Sequence, residues 1–466
     1  MQNSGKYYHF VGIGGDGMSG LAQVMLEAGC SVSGSDLCEN DKTMRLRNAG
    51  AQIYLEHNPS NITDEIEEVI VSSAIDCANS AEIGEAKKRE LRILSRIHAL
   101  SNLLEGHRSI GVAGTHGKTT TTAMIATILS YTGLDPTYLI GADCPDLKGN
   151  ACLGSSGLAV TEVDESDGLF LALQPSIAVL GNIGKDHIST YKTYGAIKES
   201  FLRFVNRAEQ SVLSLDDPNI RKLAKDITAP FTVGIETQAD LQAINIEHEQ
   251  LNTQFDIILF GRRICRVSLS APGAHNVRNA LAAIGASFLV GVDPQDAAAA
   301  LVSFQLPQRR FQILEENGVT VVDDYAHLPE EIEATLQAIR DGWNGRRIIA
   351  IFQPHRYTRT QALETEFGSA FREAEIVLVT PIYPARELPI AGVSAQLIVD
   401  AIKENTAAHV YSLSSTAAGV ELLKEQIEPG DFIISFGAGD IWKVTTEISS
   451  FLEEGSFLPV AAGERR

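Results

Sequence analysis

The chain has 466 residues, more than one ordinary core accommodates, and that length suggests about three domains. Hydrophobic residues at 44 % and charged residues at 21 % describe a globular chain, and no apolar run reaches the roughly 18 residues of a membrane span. The formal net charge of −21, from 59 acidic against 38 basic residues, repels nucleic acid and anionic lipid, so a phosphate-bearing ligand needs local basic groups.

The polar start, Met1 to Lys6, runs straight into a strand-like segment and leaves no room for a signal peptide; a cytoplasmic address is expected. Residues 8–36 read as a strand, a helix and a strand: an apolar strand at 9–13, then Met18, Leu21, Ala22, Met25 and Leu26 at helical spacing, then a strand from Cys30. A strand at 69–73 precedes a helix rich in Glu and Lys, and this first block closes near Leu104-Glu105-Gly106. A second block opens with a strand at 109–113, a Gly-rich turn and a helix over 119–130. Strands follow at 158–163 and 177–180, helices at 193–207 and 274–290, and short strands between 232 and 271. An Ala-rich helix at 295–303 leads into a candidate linker at Leu306-Pro307. The third block repeats the alternation with strands at 319–322, 347–352, 376–379 and 432–436, and the residues from about Phe457 read as a loose tail. Such alternation predicts parallel sheets covered on both faces. The six cysteines (30, 38, 77, 144, 152, 265) show no CxxC and no zinc-like spacing, and are expected to be free thiols.

The turn Gly114-Thr115-His116-Gly117-Lys118-Thr119-Thr120 carries the plainest chemistry. Backbone N–H groups of such a turn surround phosphate oxygens, the next helix adds its positive end, Lys118 supplies a cation, and the Thr119 hydroxyl suits Mg²⁺. Val112 stands where the strict phosphate-loop pattern has its first Gly. The run Glu162-Val163-Asp164-Glu165-Ser166-Asp167 offers hard oxygen ligands after a strand. Asn182 to His187 follow the next strand, and neighbouring strands of a parallel sheet share one crevice at their carboxyl ends.

Gly12-x-Gly14-x-x-Gly17, with Gly15 inside it and Asp36 nineteen residues beyond Gly17, fits a dinucleotide fingerprint, although Asp16 would turn a carboxylate toward a pyrophosphate. Asn276 and Asn279 share a helix face and could read an adenine edge. Arg309-Arg310, Asp323-Asp324-Tyr325-Ala326-His327 and Pro354-His355-Arg356-Tyr357-Thr358-Arg359 supply arginines suited to carboxylates or phosphates.

Taken in order, these motifs resemble the Mur ligase family from about residue 8 to 443, and within it the branch acting on UDP-N-acetylmuramate and L-alanine. His116 in the phosphate loop is specific to that branch. The resemblance implies an α/β protein of three domains: a Rossmann-like UDP-sugar domain at 1–106, a central P-loop ATPase domain at 107–307, and a mobile Rossmann-like C-terminal domain at 308–466. It implies an ATP-dependent carbon–nitrogen ligase of peptidoglycan precursor synthesis that forms an acyl phosphate on the lactyl carboxylate and passes it to the amine of L-alanine. Mg²⁺, with Mn²⁺ as a substitute, is the implied metal, on Thr119, Glu162 and His187; Lys118, Glu162 and His187 are the implied catalytic set. ATP falls to residues 114–120 with Asn276, Asn279, Arg310 and Asp324. Gly14, Gly15, Gly17, Met18, Ser35, Asp36, Ser73 and Arg96 match the UDP-sugar positions, and Tyr325, His327, His355 and Arg359 match the amino-acid pocket. No nucleic acid or membrane partner is expected, and a monomer or homodimer is.

Several members of the family hold a metal with a carbamylated lysine, and that position falls at Phe201 here, as in the L-alanine branch, which lacks the lysine. Ser189 stands for an acidic residue, Asp16 for an apolar one, and the stretch from Arg96 to Leu100 departs from the usual pattern. Other readings are a ligase that attaches a preformed peptide to the same sugar nucleotide, an NAD-dependent oxidoreductase with a fused ATPase, and a catalytically dead paralogue that serves as a binding protein.

Overall fold

The computed structural model describes residues 5–315 and 318–454, with all their side chains except those of 188 and 189. The tail expected from Phe457 and the Ser189 side chain lie outside what is described. Two compact units result: one takes the chain up to Ile246 with Gln254–Ser270 and Asn276–Gln305, the other Glu247–Thr253, Ala271–His275 and the chain from Leu306.

The first unit holds a five-stranded parallel sheet of β1 (Tyr7–Val11), β2 (Ser31–Ser35), β3 (Gln52–Tyr54), β4 (Glu68–Val71) and β5 (Arg92–Ser95), in the order β3-β2-β1-β4-β5. The order reverses between β1 and β4, which places the Gly-rich turn after β1 at a topological switch point. Phe10, Ile13, Leu21, Met25 and Ile70 fill one face of this sheet, and Val11, Val69 and Ile83 the other.

A ten-stranded sheet follows, of β6 (Arg108–Ala113), β7 (Thr137–Leu139), β8 (Ala151–Cys152), β9 (Leu158–Glu162), β10 (Ile177–Leu180), β11 (Gln210–Ser214), β12 (Phe231–Gly234), β13 (Leu241–Glu249), β14 (Asn252–Leu259) and β15 (Arg262–Leu269). β6 lies between β9 and β10, both parallel to it. Three turns therefore leave adjacent strand ends: the phosphate loop, the acidic run and the Asn182 turn. The two-strand pairing of β7 with β8 is antiparallel, against the parallel expectation, because a short loop and not a crossover helix joins them.

In the second unit, β16 (Gln312–Glu315), β17 (Thr320–Asp324), β18 (Ile348–Phe352), β19 (Ile376–Val379), β20 (His409–Ser412) and β21 (Phe432–Phe436) take the order β16-β17-β21-β18-β19-β20. All pairs are parallel except β16 with β17. The central strands are buried along their whole length: Ile348–Phe352 is an unbroken apolar run, and in Phe432–Phe436 the one polar residue, Ser435, donates its hydroxyl to Asp323 at 2.6 Å. Among the described residues, no helix is long and apolar enough to cross a membrane.

Candidate active site

Gly114 and Gly117 hold the phosphate loop in shape because both take positive φ, +134° and +77°. A Cβ at Gly114 would meet the Asn182 backbone at 3.1 Å, and one at Gly117 would strike the Asn279 amide. Asn182 braces the loop from the neighbouring strand end. Its Oδ1 accepts from His116 N at 2.8 Å and its Nδ2 donates to His116 O at 3.0 Å. The Thr115 hydroxyl accepts from Gly184 N at 2.7 Å. Asn279 donates to Asn276 Oδ1 at 3.2 Å, so this amide pair stands directly behind the loop glycine. Thr120 is buried in the first turn of the helix Lys118–Tyr131.

Beside the loop lies a partly buried charge cluster. Lys118 Nζ sits 3.0 and 2.9 Å from the two Glu165 oxygens and donates to Gly114 O at 2.7 Å. The Thr119 hydroxyl donates to Glu162 Oε2 at 2.8 Å. Asp164 Oδ2 lies 3.7 Å from Arg96, and His187 Nε2 lies 3.2 Å from Asp186 and 3.9 Å from Glu165. Burial raises the Glu162 carboxyl despite Thr119 and Lys118, and burial pushes Glu165 up to about 7 against the pull of Lys118. Burial works against Asp164 as well, yet Lys118 and Arg96 outweigh it and hold that carboxyl below its usual range. Lys118 stays above its ordinary value because Glu165, Asp164 and Glu162 together overcome its desolvation.

Three carboxylates thus face one lysine and one arginine. Such an excess of carboxylate oxygens, Glu165 buried and Glu162 and Asp164 partly so, fits a divalent cation such as Mg²⁺ beside the phosphate loop. No three His, Cys, Asp or Glu side chains converge as a ready-made metal cage among the described residues. The donor set at hand, a hydroxyl and a carboxylate, instead suits an ion that keeps waters and phosphate oxygens as its remaining ligands.

At the first Gly-rich turn, Asp36 Oδ2 accepts from Gly14 N at 2.8 Å and its other oxygen from Leu37 N. Gly15 precedes the helix Asp16–Glu27, and Arg96 packs 3.0 Å from where a Gly17 Cβ would stand. Asp16 pairs with Lys42, so this carboxylate has a cation beside it. Two expected ligand residues are placed differently. The Ser35 side chain is wholly buried, its hydroxyl donating to Glu82 at 2.8 Å, while its carbonyl accepts from Gly12 N and Ile13 N. Ser35 therefore shapes the turn from beneath. Met18 is a core side chain, as its place in the apolar helix stripe dictates. Ser73 is exposed beyond β4, and its neighbour Ser72 is the one that packs on Gly12.

In the second unit, β17 ends in Asp323-Asp324, and Gln353-Pro354 follow the end of β18. Asp324 accepts from Phe311 N at 3.1 Å and Ala326 N at 2.7 Å, and burial pushes its carboxyl up to about 7 against the Ala326 N–H and Arg310. Arg310 lies 4.9 Å over the Tyr325 ring. Its neighbour Arg309 bonds Asp323 at 2.9 Å and Gly437 O at 2.7 Å, a structural anchor joining three segments. Tyr325, His327, His355 and Arg359 come together: Tyr325 to His327 at 5.4 Å, His327 to His355 at 5.8 Å, and Arg359 Nη1 3.0 Å from His355 Nδ1.

The Mur ligase family catalytic domain matches residues 7–108, the Mur ligase middle domain 112–287, and the Mur ligase glutamate ligase domain 309–439. The chain belongs to the Mur ligase family. Among its family relatives, the UDP-N-acetylmuramate–L-alanine ligase of Geobacter sulfurreducens is 43 % identical over 453 residues, covering 96 % of this chain and 97 % of that one. The ligase of the same name from Syntrophotalea carbinolica is 41 % identical, covering 96 % and 98 %. The crystal structure of UDP-N-acetylmuramate-alanine ligase from Thermotoga maritima matches with a TM-score of 0.81 at 28 % identity, covering 96 % of this chain and 99 % of that chain. A murein peptide ligase from Psychrobacter arcticus matches at 0.70 and 25 % identity, covering 98 % and 100 %.

Within this Mur ligase, Phe201 is buried against Phe170 at 5.7 Å, so the position is part of the apolar core. Sequence reasoning quoted Glu165 and Asn182 without giving them roles. Their signal was positional: each follows a strand that flanks β6, so each was bound to meet the phosphate loop.

Proposed function

We propose that this Mur ligase joins L-alanine to the lactyl carboxylate of UDP-N-acetylmuramate, with ATP converted to ADP and phosphate, in peptidoglycan precursor synthesis. The observation that carries the reading is the near-full-length match to ligases of that name, 43 % identical over 96 % of the chain. The phosphate loop supports its ATP half. The substrate carboxylate attacks the γ-phosphorus, ADP leaves, and the amine then attacks the acyl phosphate, with phosphate leaving from a tetrahedral intermediate. Such a sequence needs alignment and charge neutralisation more than a protein nucleophile.

Lys118 serves the transferring phosphoryl group, and the loop N–H groups from Gly114 to Thr120 cradle the phosphates. Thr119, Glu162 and His187 would hold Mg²⁺, or Mn²⁺ in its place, which would supply neutralisation of phosphate charge. Asn276 and Asn279 read the nucleotide from behind the loop. Gly14, Gly15, Gly17, Asp36 and Arg96 take the diphosphate of the UDP sugar, and Arg310, Asp324 and the Tyr325–His327–His355–Arg359 cluster serve ATP and the amino acid. Residues 1–106, 107–307 and 308–466 are the corresponding domains, in a cytoplasmic monomer or homodimer.

Phosphate release from ATP, measured with UDP-N-acetylmuramate while the amino acid is varied, tests the reading. Release that ignores the sugar nucleotide, or that needs a preformed peptide in place of L-alanine, would overturn it.

A further inference from the structure

The segment after β19 pairs with the residues that follow β18 and meets the first turn of the helix Tyr357–Ala362. Tyr383 N donates to Pro354 O at 2.8 Å and Arg356 N donates to Tyr383 O at 2.8 Å, a parallel bridge outside the main sheet. The Tyr383 ring lies parallel to His355, at 9° with centroids 5.6 Å apart, opposite in kind to the edge contact His355 makes with His327. Arg359 has only donors, so its 3.0 Å contact makes His355 Nδ1 an acceptor and puts the ring proton on Nε2. Tyr383 therefore stacks on the imidazole that orients the guanidinium.

Glu387 secures the other end. One oxygen accepts from Thr358 N at 3.0 Å and the other from the Thr358 hydroxyl at 2.6 Å. The residue at the cap position, Arg356, has φ +73° and makes no side-chain cap, so the carboxylate of Glu387 takes over the first-turn N–H from outside the helix. Between Tyr383 and Glu387 the chain passes through Ala385 and Arg386 at φ +45° and +72°, a left-handed pair that L residues rarely adopt. Leu388, next in line, is 84 % exposed. The contacts of Tyr383 with Pro354, His355 and Arg356, and of Glu387 with Thr358, tie the segment to the start of the helix.

We propose that Tyr383 and Glu387 are positioning residues for the incoming amino acid, acting through His355 and Arg359. The proposal rests on the reading of Tyr325, His327, His355 and Arg359 as the amino-acid pocket. Neither residue need touch the substrate.

The test is steady-state phosphate release by the full chain, with L-alanine, ATP and UDP-N-acetylmuramate varied in turn. Tyr383→Ala and Glu387→Ala are expected to raise the KM for L-alanine by about tenfold or more, with the other two KM values within about twofold. Tyr383→Phe keeps the stack and Glu387→Gln keeps an acceptor for Thr358 N, so both are expected within about 1.5-fold of the parent. Should an alanine variant fail to fold, Thr358→Val removes only the hydroxyl contact and is expected to raise the same KM by about threefold. An unchanged L-alanine KM, an equal rise in all three KM values, or conservative variants as poor as the alanine ones would overturn the proposal. A parent enzyme whose release ignores L-alanine would instead overturn the function on which the proposal rests, and the two failures are separate.

Discussion

Lys118 and Glu165 form an ion pair, the carboxylate buried and the lysine partly so, in which the ammonium lies about equally far, 3.0 and 2.9 Å, from both carboxylate oxygens. The pair holds the lysine at the mouth of the phosphate loop, hydrogen-bonded to Gly114 O. Burying either charge alone would be costly, so each keeps the other in place. A phosphate that takes the lysine must compete with Glu165, whose carboxyl is already raised to about 7 by burial and so accepts a proton readily when the lysine turns away.

Lys118→Ala is therefore expected to fold, because Glu165 can neutralise by protonation once its partner is gone. Turnover should fall by about 10² to 10³ or more, the scale of losing one preorganised charge at a transferring group. Phosphate release and circular dichroism together check this. Retained turnover would remove Lys118 from the chemistry, and an unfolded variant would mean the ion pair holds the fold.

Glu162→Gln keeps an acceptor for the Thr119 hydroxyl but takes away a charge from the proposed Mg²⁺ position. Half-saturation in Mg²⁺ should move up by about tenfold or more, with phosphate release by the parent abolished by a chelator and restored by Mg²⁺. A titration of rate against Mg²⁺ reads both. Indifference of the variant to Mg²⁺ concentration would put the ion elsewhere.

The three-sheet α/β fold and the meeting of the phosphate loop with the acidic and Asn182 turns were readable from the sequence, because β6, β9 and β10 are apolar runs whose length and spacing announce themselves. Strands such as Gln52–Tyr54, Arg92–Ser95 and His409–Ser412 were not, being short, partly exposed edge strands with polar residues. Ser35 and Met18 show the limit within the site. Strand and helix periodicity turns both side chains inward, and the Ser35 carbonyl accepts from Gly12 N and Ile13 N in the turn. The Arg309 anchor and the Tyr383 bridge join residues up to 130 apart in the chain, which no local pattern encodes.

Arg96 joins the first Gly-rich turn to the acidic run, packing on Gly17 and facing Asp164 at 3.7 Å. Arg96→Ala should raise the KM for UDP-N-acetylmuramate by about tenfold and the KM for ATP by less, since Lys118 still faces Asp164. Kinetics with each substrate varied decide it. A selective rise in the ATP KM would assign Arg96 to the nucleotide triphosphate and leave the sugar diphosphate to the loop alone.

Asp324 gives the clearest pH signature. Its carboxyl is buried and raised to about 7, against an unfolded value of about 3.9. Below about pH 3.9 both states hold the proton, and the group's contribution to stability is complete. As pH rises the unfolded chain ionises first while the folded one keeps its proton, so stability falls until the folded carboxyl also ionises near 7, and then levels off. Asn at this position mimics the protonated form at every pH. The difference in Tm, Asp324→Asn minus parent, should therefore climb between about pH 4 and 7 and flatten above it. Arg310 and the two backbone N–H donors favour the charged form, and if they prevailed over burial the difference would instead fall across that window. Thermal melts of both proteins at half-unit steps of pH, roughly 4 to 8, separate the two outcomes by sign alone.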